Sequence, residues 1–352
     1  MSSTQHLILD PSQHVAPTRD KDVNTTATIE LPDAKETKFH PTVPGGENAS
    51  LYFVGTATTI LEWAGIRLMT DPNFLHAGDH VHLGPGVTGT RVTDPAVDLH
   101  DLPPIDVVLL SHYHADHFDE MVEESLRRDL PIITTPHAKS HLAHKAGKNE
   151  AFTAVYALDT FDSMIVDVKS ATGDESPRTK ALRVTAMPGK HVPPGVLGTL
   201  NDLVGAVPPT NGWMLELGTS TSPTPSPSSF QSSYRIYISG DTLLVPELKS
   251  IPERYAGQDI DLMLIHLGGT TIPGPHAPLL MVTMDAKQGV ELVRLIKPGV
   301  TIPVHYDDYD VFLSPLEDFK KEMKEAGLED RVVYLDRGDE YKFAVKKDSS
   351  EE

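Results

Sequence analysis

The chain has 352 residues, no cysteine and a formal net charge of −20 at pH 7. Without cysteine, disulfides, cysteine-bound zinc, iron–sulfur clusters and thiol catalysis are excluded. The lysines and arginines form no long basic run, so nucleic-acid binding through the phosphates is disfavoured. The sequence contains neither an apolar run of about 18 residues nor a secretory signal, which predicts a cytoplasmic protein without an integral membrane segment.

The first half of the chain predicts a polar arm followed by an α/β domain. Residues 1–48 are polar and proline-bearing with no sustained period, which predicts a mobile or peripheral N-terminal arm. We expect one folded domain over 49–346 and a tail over 347–352. Apolar runs predict strands at 51–54, 58–62, 66–70, 107–111, 132–135, 163–168 and 181–186, and helical patterns occupy 119–128 and 137–146.

The second half predicts further strands and two capped helices. The predicted strands lie near 212–217, 234–239, 261–265, 301–304 and 332–335. Asp285 with Gln288 resembles a capping box, as does Ser314 with Glu317, and Gly327 suits the end of the second helix. The segment 218–233 is mostly serine, threonine and proline, which predicts a disordered loop insertion.

The segment from Ser111 to His117 carries the strongest chemical signal. It reads H-x-H-x-D-H and follows the apolar run 107–110. Residues two apart in a strand share a face, so His112 and His114 would point the same way as the chain leaves the sheet. Three imidazoles and a carboxylate are costly to bury without a partner, and neutral imidazole is a favoured ligand of zinc. The motif therefore predicts a metal site.

A hydrophobic strand followed by H-x-H-x-D-H resembles the metallo-β-lactamase superfamily. The resemblance implies an α/β fold of four αββα layers, with two mixed sheets face to face and helices outside. It also implies two divalent metal ions, with zinc favoured and manganese or iron as alternatives. By this resemblance the first metal would be bound by His112, His114 and His191, the second by Asp116, His117 and His305, and Asp241 would bridge the two.

The resemblance extends over about residues 50–345. The segments 54–62 and 66–72 resemble the opening hairpin of the superfamily, in which Asp71 would support a ligand imidazole. Segment 102–106, Gly212-Trp213 and Met284-Asp285 resemble the branch containing ascorbate-6-phosphate lactonase and N-acyl-phosphatidylethanolamine phospholipase D. This chain departs from that branch at Thr283 and at His266.

The resemblance implies a metal-dependent hydrolase in which metal-bound hydroxide attacks a carbonyl carbon. Asp116 would orient the nucleophile, and proton donation to the leaving group would fall to Asp116 or His266; His276 is a weaker candidate. We expect a small-molecule lactone, ester or cyclic amide, hence lactonase or lactamase chemistry. The reason is that the apolar loop 192–210 follows His191 and suits a pocket wall, with core packing or an oligomer interface as its alternative.

Two other functions stay open. One is phosphodiester hydrolysis, as in the phospholipase branch, and the other is a metal-binding protein without catalysis. His137, His141 and His144 lie on roughly one face of a predicted helix. That face is interpreted as solvated or packed rather than as a second metal patch.

Overall fold

Two large β-sheets form the centre of the protein. The computed structural model describes residues 5–13, 15–19, 30–84, 87–170, 178–192, 207–221, 229–272 and 280–346. The first sheet has seven strands, in the order β1 (Gln5–Leu9), β11 (Ser163–Val168), β12 (Thr179–Met187), β13 (Gly212–Ser220), β14 (Phe230–Ile238), β15 (Leu262–His266) and β18 (Val300–Val304).

The second sheet has eight strands, and two small hairpins accompany it. Its order is β10 (Val155–Ala157), β9 (Ile132–Thr134), β8 (Val107–Leu109), β5 (Ile66–Thr70), β4 (Thr58–Trp63), β3 (Ala49–Gly55), β19 (Glu340–Phe343) and β2 (Thr37–Lys38). The hairpins are β6 (His80–Gly84) with β7 (Val87–Thr90), and β16 (Thr271–Ile272) with β17 (Leu280–Met281).

Five α-helices occur in the described residues. They are α1 (Glu120–Ser125), α2 (Pro136–Leu142), α3 (Ser250–Arg254), α4 (Ala286–Ile296) and α5 (Leu316–Glu325). Short 3₁₀ turns add Leu99–Asp101, Pro246–Lys249 and Glu329–Arg331. In this part of the chain no helix is long and apolar enough to cross a membrane.

The alternation of side chains along each strand builds the four layers. Val107 and Leu109 of β8 pack into the core between the two sheets, whereas Val108 packs on the outer face with Val122 of α1 and Leu142 of α2. This is the two-residue period of a strand that is buried on both faces.

The seven-stranded sheet is covered in the same way. Leu264 of β15 faces the core between the sheets, and Met263 packs outside against Val290 of α4 and Phe319 of α5. Helices therefore cover both outer faces, and the predicted four-layer αββα architecture is confirmed.

Several predicted element boundaries are wrong. The range 332–335 forms no strand; only Val332 makes an isolated bridge, to Thr301 of β18. The last strand of the described chain is β19, in the other sheet. The proposed loop 218–233 is shorter, because 218–220 continue β13 and 230–233 begin β14; residues 222–228 lie outside the described part. The end of the second helix at Gly327 is confirmed by its φ of 68° directly after the cap.

The two predicted helix starts have different outcomes. The Asp285 side chain accepts a hydrogen bond from the backbone N–H of Gln288, as predicted for α4. Ser314 does not cap α5: its hydroxyl accepts the backbone N–H of Ala286 at 3.0 Å, on the neighbouring helix. The Ser314 side chain therefore makes a tertiary hydrogen bond to the start of α4 instead of capping its own helix.

The described parts of the N-terminal arm lie on the domain as edge strands. Gln5–Leu9 pairs in parallel with β11, and Thr37–Lys38 pairs in parallel with β19. Residues 1–4 and 20–29 of the arm, like the tail at 347–352, lie outside the described part.

The Asp119 side chain connects helix α1 to the end of β5. Its Oδ1 accepts the backbone N–H of Val122 at 2.8 Å, and its Oδ2 accepts that of Phe74 at 2.7 Å. We expect Asp119→Ala to lower the free energy of unfolding by roughly 2–4 kcal/mol, since a cap and a buried N–H both lose their acceptor. Urea denaturation of the variant measures this loss. The control is Glu120→Ala, in the same exposed first turn, and an equal effect of both substitutions would contradict the prediction.

Candidate metal centre

Polar side chains gather at one edge of the two sheets. Strands β14, β15 and β18 run parallel, as do β5, β8 and β9, so the carboxyl ends within each group meet at one edge. His112 follows β8, His191 follows β12, Asp241 follows β14 and His305 follows β18. This is the edge at which ligand sites of α/β sheets are usually formed.

Gly240 shows how tightly the backbone is packed before Asp241. Its φ is 60°, and a Cβ atom there would lie 2.4 Å from the backbone oxygen of Asn211. Only glycine fits, because any side chain would meet this oxygen and would favour a different φ. The Gly-Asp pair thus fixes where the carboxylate enters the site.

The structure brings all seven predicted ligands into overlapping clusters. Each cluster has its candidate ligand atoms within 4.8 Å of one another. Asp241 belongs to two of these three clusters, as a bridging ligand would, and so do His112 and Asp116. The clusters are His112, His191 and Asp241; Asp116, His117, Asp241 and His305; and His112, His114 and Asp116.

The individual distances are short. His112 Nε2 lies 3.1 Å from His191 Nε2, and His117 Nε2 lies 3.2 Å from Asp241 Oδ2. His305 Nε2 lies 3.5 Å from Asp116 Oδ2. These atoms share one compact volume at the sheet edge.

Hydrogen bonds to backbone oxygens determine which nitrogen of His191 and of His305 faces the ligand cluster. His191 Nδ1 donates to the backbone oxygen of Val282 at 3.0 Å, and His305 Nδ1 donates to that of Leu267 at 2.9 Å. A neutral ring that donates from Nδ1 presents a lone pair at Nε2. Both rings are therefore oriented as metal-binding imidazoles usually are, with the second nitrogen anchored by the protein.

Buried atoms without partners show that the residues fit a divalent cation. His117 Nε2, His305 Nε2 and Asp241 Oδ1 are buried and have no hydrogen-bond partner among the described residues. A buried lone pair or carboxylate oxygen without a partner is costly. His191 Nε2, which keeps a lone pair because Nδ1 donates to Val282, lies 3.1 Å from His112 Nε2, so both nitrogens can face one cation. A cation would satisfy all of these atoms, and histidine with aspartate is a donor set that zinc, manganese and iron accept.

Electrostatics favour neutral rings at His112 and His191 and an ionised carboxylate at Asp241. Burial and the nearby His117 imidazole hold the pKa of His112 well below its ordinary value, and burial lowers the pKa of His191 to about 4. Burial alone would raise the pKa of Asp241, but the imidazoles of His305 and His117 outweigh it and hold that pKa well below its usual range. Burial would lower the pKa of His117 and of His305, but Asp241 and Asp116 raise both above the ordinary value. Neutral imidazole and ionised carboxylate are the forms that bind metal.

Asp71 supports the cluster from its buried side. Its Oδ1 accepts the backbone N–H of Ser111 at 2.6 Å, and its Oδ2 lies 3.3 Å from His117 Nδ1. The same Oδ2 lies 3.6 Å from His266 Nε2, whereas His266 Nδ1 lies 3.3 Å from the Ser239 hydroxyl. Asp71 thus stands where the sequence analysis expected it, and His266 faces this carboxylate.

Two site residues hold an unfavourable backbone conformation. Asp71 has a φ of 34° and His305 has a φ of 60°, in the left-handed region that residues other than glycine rarely adopt. Such strain persists only where the surrounding structure determines it, and it concentrates at functional sites.

A buried ion-pair network that the sequence analysis missed holds the His305 turn. Asp308 is fully buried and accepts the backbone N–H of Thr56 at 2.9 Å, while the Thr56 backbone oxygen accepts the N–H of His305 at 2.7 Å. Arg91, which is 1% exposed, places Nη2 3.7 Å from Asp308, and Arg337 donates to it from Nε at 2.7 Å. The acidic pair Asp307-Asp308, just after His305, could have indicated the acidic half of this network. The sequence around Arg91 contains no feature that would have predicted its basic half.

A small cavity opens over the cluster. His114, Asp116, His191 and Asp241 line its floor, and the other described lining residues are apolar or bear hydroxyls. These are Leu83, Val207, Thr270, Thr271, Val282 and Thr283. The predicted wall 192–210 contributes Val207, while residues 193–206 of that loop, like His276, lie outside the described part. His266 is not among the lining residues.

Comparison with known proteins gives the family. A family model described as a beta-lactamase superfamily domain matches residues 67–306. A UPF0173 metal-dependent hydrolase from Archaeoglobus fulgidus is 27% identical over 241 residues, covering 68% of this chain and 82% of the relative. Another from Polynucleobacter asymbioticus is 26% identical over 282 residues, covering 80% and 84%. The chain therefore belongs to the beta-lactamase superfamily, as a metal-dependent hydrolase.

Solved structures agree on the fold. An isothiocyanate hydrolase from Delia radicum gut bacteria matches with a TM-score of 0.63 at 18% identity, covering 84% of this chain and 100% of that chain. At this identity the similarity concerns the arrangement of sheets and helices alone.

The Asp308 network yields a test of the site's support. We expect Asp308→Ala to lower the free energy of unfolding by about 3–5 kcal/mol, because the buried Arg91 guanidinium loses its counter-charge. Asp336→Ala is the matched control: Asp336 also pairs with Arg337 but is 80% exposed, and its loss should cost only about 0–1 kcal/mol. Both values come from urea denaturation. A loss for Asp308→Ala no larger than for the control would show that Arg91 does not depend on this carboxylate.

Proposed function

We propose that this member of the beta-lactamase superfamily hydrolyses a small-molecule lactone, ester or cyclic amide with two divalent cations held in the clusters described above. The observation that carries the proposal is that the ligand clusters overlap at two carboxylates. Asp241 belongs to the cluster with His112 and His191 and to the cluster with Asp116, His117 and His305, and Asp116 links His112 and His114 to that larger cluster. Carboxylates shared by two sets of ligands suit a two-cation site, and we assign the bridge to Asp241 by the family resemblance.

The ligand assignment is the one that the family resemblance implies, and two clusters support it: His112 with His191 and Asp241, and Asp116 with His117, Asp241 and His305. His112, His114 and His191 would hold the first cation and Asp116, His117 and His305 the second, with Asp241 between them. Bound cations would lower the pKa of a water molecule and polarise the substrate oxygen. Zinc is our first choice, and manganese or iron would accept the same ligands.

Asp116 is the residue that we assign to proton handling. It lines the cavity, and its Oδ1 lies 2.5 Å from His114 Nδ1. Burial alone would raise the pKa of Asp116, but the imidazoles of His114 and His117 hold it well below the usual range. An ionised carboxylate beside the substrate space can orient a water molecule, accept its proton and return a proton to the leaving group.

His266 receives a positioning role in this proposal. It faces Asp71 on the buried side of the cluster and is 1% exposed. A histidine in that place can fix the Asp71 carboxylate, which in turn lies against His117. Of the two candidates for proton donation, Asp116 is therefore preferred.

The cavity wall favours a carbonyl substrate over a phosphodiester. No lysine or arginine occurs among the described lining residues, and the sequences of 193–206 and 273–279 contain none. Proteins usually bind a phosphate group with lysine or arginine side chains. Thr270 and Thr271 line the cavity, and neither buried hydroxyl has a hydrogen-bond partner in the described part of the chain. They suit hydrogen bonds to the oxygens of a small ester or lactone.

The metal content tests the two-cation site. We expect two equivalents of metal per chain after chelation and reloading, and one or none in Asp241→Asn, since the amide cannot supply the shared negative charge. Asp285→Asn is the control, because asparagine caps a helix as well as aspartate does and Asp285 is outside the clusters. Elemental analysis measures both. A single equivalent in the reloaded wild-type protein, or two in Asp241→Asn, would reject the bridge.

The substrate class is tested by kinetics on a panel of lactones, lactams and bis-p-nitrophenyl phosphate. We expect turnover of a lactone or lactam, and a roughly 2- to 10-fold lower kcat/KM in Thr271→Val, the effect of one lost hydrogen bond. Thr301→Val is the matched control: this threonine is also buried with an unpartnered hydroxyl, but it lies in β18 and does not line the cavity. Preference for the phosphodiester would establish the phospholipase-like alternative. Metal binding without any turnover would establish the non-catalytic one.

A further inference from the structure

A second group of histidines lies on helix α2, outside the site described above. His137 and His141 are four residues apart, so they share one face of the helix. Their Nε2 atoms lie 3.3 Å from each other, and their ring centroids are 4.6 Å apart. The third histidine, His144, instead contacts the backbone oxygen of Ser140 through Nδ1 at 3.3 Å.

The distance between the two nitrogens has a specific geometric meaning. Zinc binds imidazole nitrogen at about 2.0–2.1 Å with tetrahedral angles, which separates two ligand nitrogens on one ion by roughly 3.3–3.4 Å. The pair therefore already has the spacing of two ligands on one ion.

The surroundings hold this arrangement in place. The His141 ring stacks on Tyr113 at 4.8 Å with an interplanar angle of 5°. The Thr135 side chain accepts the backbone N–H of Ala138 and thereby caps the helix that carries both rings. Because the stacking restricts the His141 ring and the cap restricts the helix before any ligand arrives, less conformational entropy is lost on binding.

Charge also suits a cation that needs neutral ligands. Burial and the nearby His141 ring lower the pKa of His137 below its ordinary value. His137 is half-buried and His141 is exposed, so solvent reaches the pair and water can complete the coordination.

We propose that His137 and His141 form an additional, solvent-accessible site for a divalent transition metal such as zinc, separate from the two-cation centre. It lies on the other side of Tyr113, the residue between His112 and His114 in the catalytic motif. The opposing interpretation is a hydrogen bond between the two rings, with a proton on one Nε2 and none on the other.

Equilibrium dialysis against zinc distinguishes these interpretations. The full-length protein, already loaded at its catalytic centre, is dialysed at pH 7.5 against graded zinc, and bound metal is measured by elemental analysis. We expect the wild-type protein to bind one more equivalent than His141→Ala at the same free zinc concentration. His144→Ala, two residues past the end of the same helix, should bind as the wild type does.

This readout is independent of catalysis, so it holds whether or not the proposed hydrolytic activity is found. A second variant, His137→Ala, should lose the same equivalent, because one imidazole alone cannot chelate. Identical zinc binding in the wild-type protein and His141→Ala would overturn the site and leave the ring-to-ring hydrogen bond. An equal loss in His144→Ala would also overturn it, since binding would then not depend on the pair.

Discussion

Burial of unlike charges and lone pairs at one sheet edge is the constraint on which the rest of this structure depends. Asp71, Asp116 and Asp241 are each under 5% exposed, and fully buried imidazoles surround them. Carboxylates in such a place are stable only beside compensating positive charge. In the chain by itself, burial would lower the pKa of His117, but Asp241 and Asp116 raise it well above its ordinary value. Cations would supply this charge and leave the rings neutral.

The parallel strand order of the two sheets allows these polar groups to be buried together. Parallel neighbours bring the ends of β5, β8, β14, β15 and β18 to the edge, and each end carries one polar residue into the same volume. Placing them has a conformational cost, visible in the positive φ of Asp71 and His305. That cost is offset nearby by the buried Arg91–Asp308 pair and by the continuous apolar core between the sheets.

The sequence allowed prediction of features whose cause is local or repeated. H-x-H-x-D-H after an apolar strand by itself indicates a metal site. The periods of apolar residues along the chain indicate the strands from which the two sheets are built. The more distant residues His191, Asp241 and His305 required the family resemblance, because a lone polar residue after a strand is also common in turns. Arg91 and the tertiary hydrogen bond of Ser314 were beyond prediction. Their partners, Asp308 and Ala286, are 217 and 28 positions away, and only the folded chain brings them together.

The two groups of histidines show how burial decides what an imidazole does. In the sheet-edge cluster the side chains are buried, and His191 and His305 each have Nδ1 anchored to a backbone oxygen. Without cations, buried atoms such as His305 Nε2 and Asp241 Oδ1 would have no partner. On α2, water can solvate the rings when no ion is bound, and His137 and His141 can then hydrogen-bond to each other at little cost in free energy. The inner site should therefore hold metal far more tightly than the outer one. If the proposed ions bind, dissociation of the outer ion should leave the fold unchanged, whereas loss of the inner ions should remove compensation for the buried Asp116 and Asp241 carboxylates.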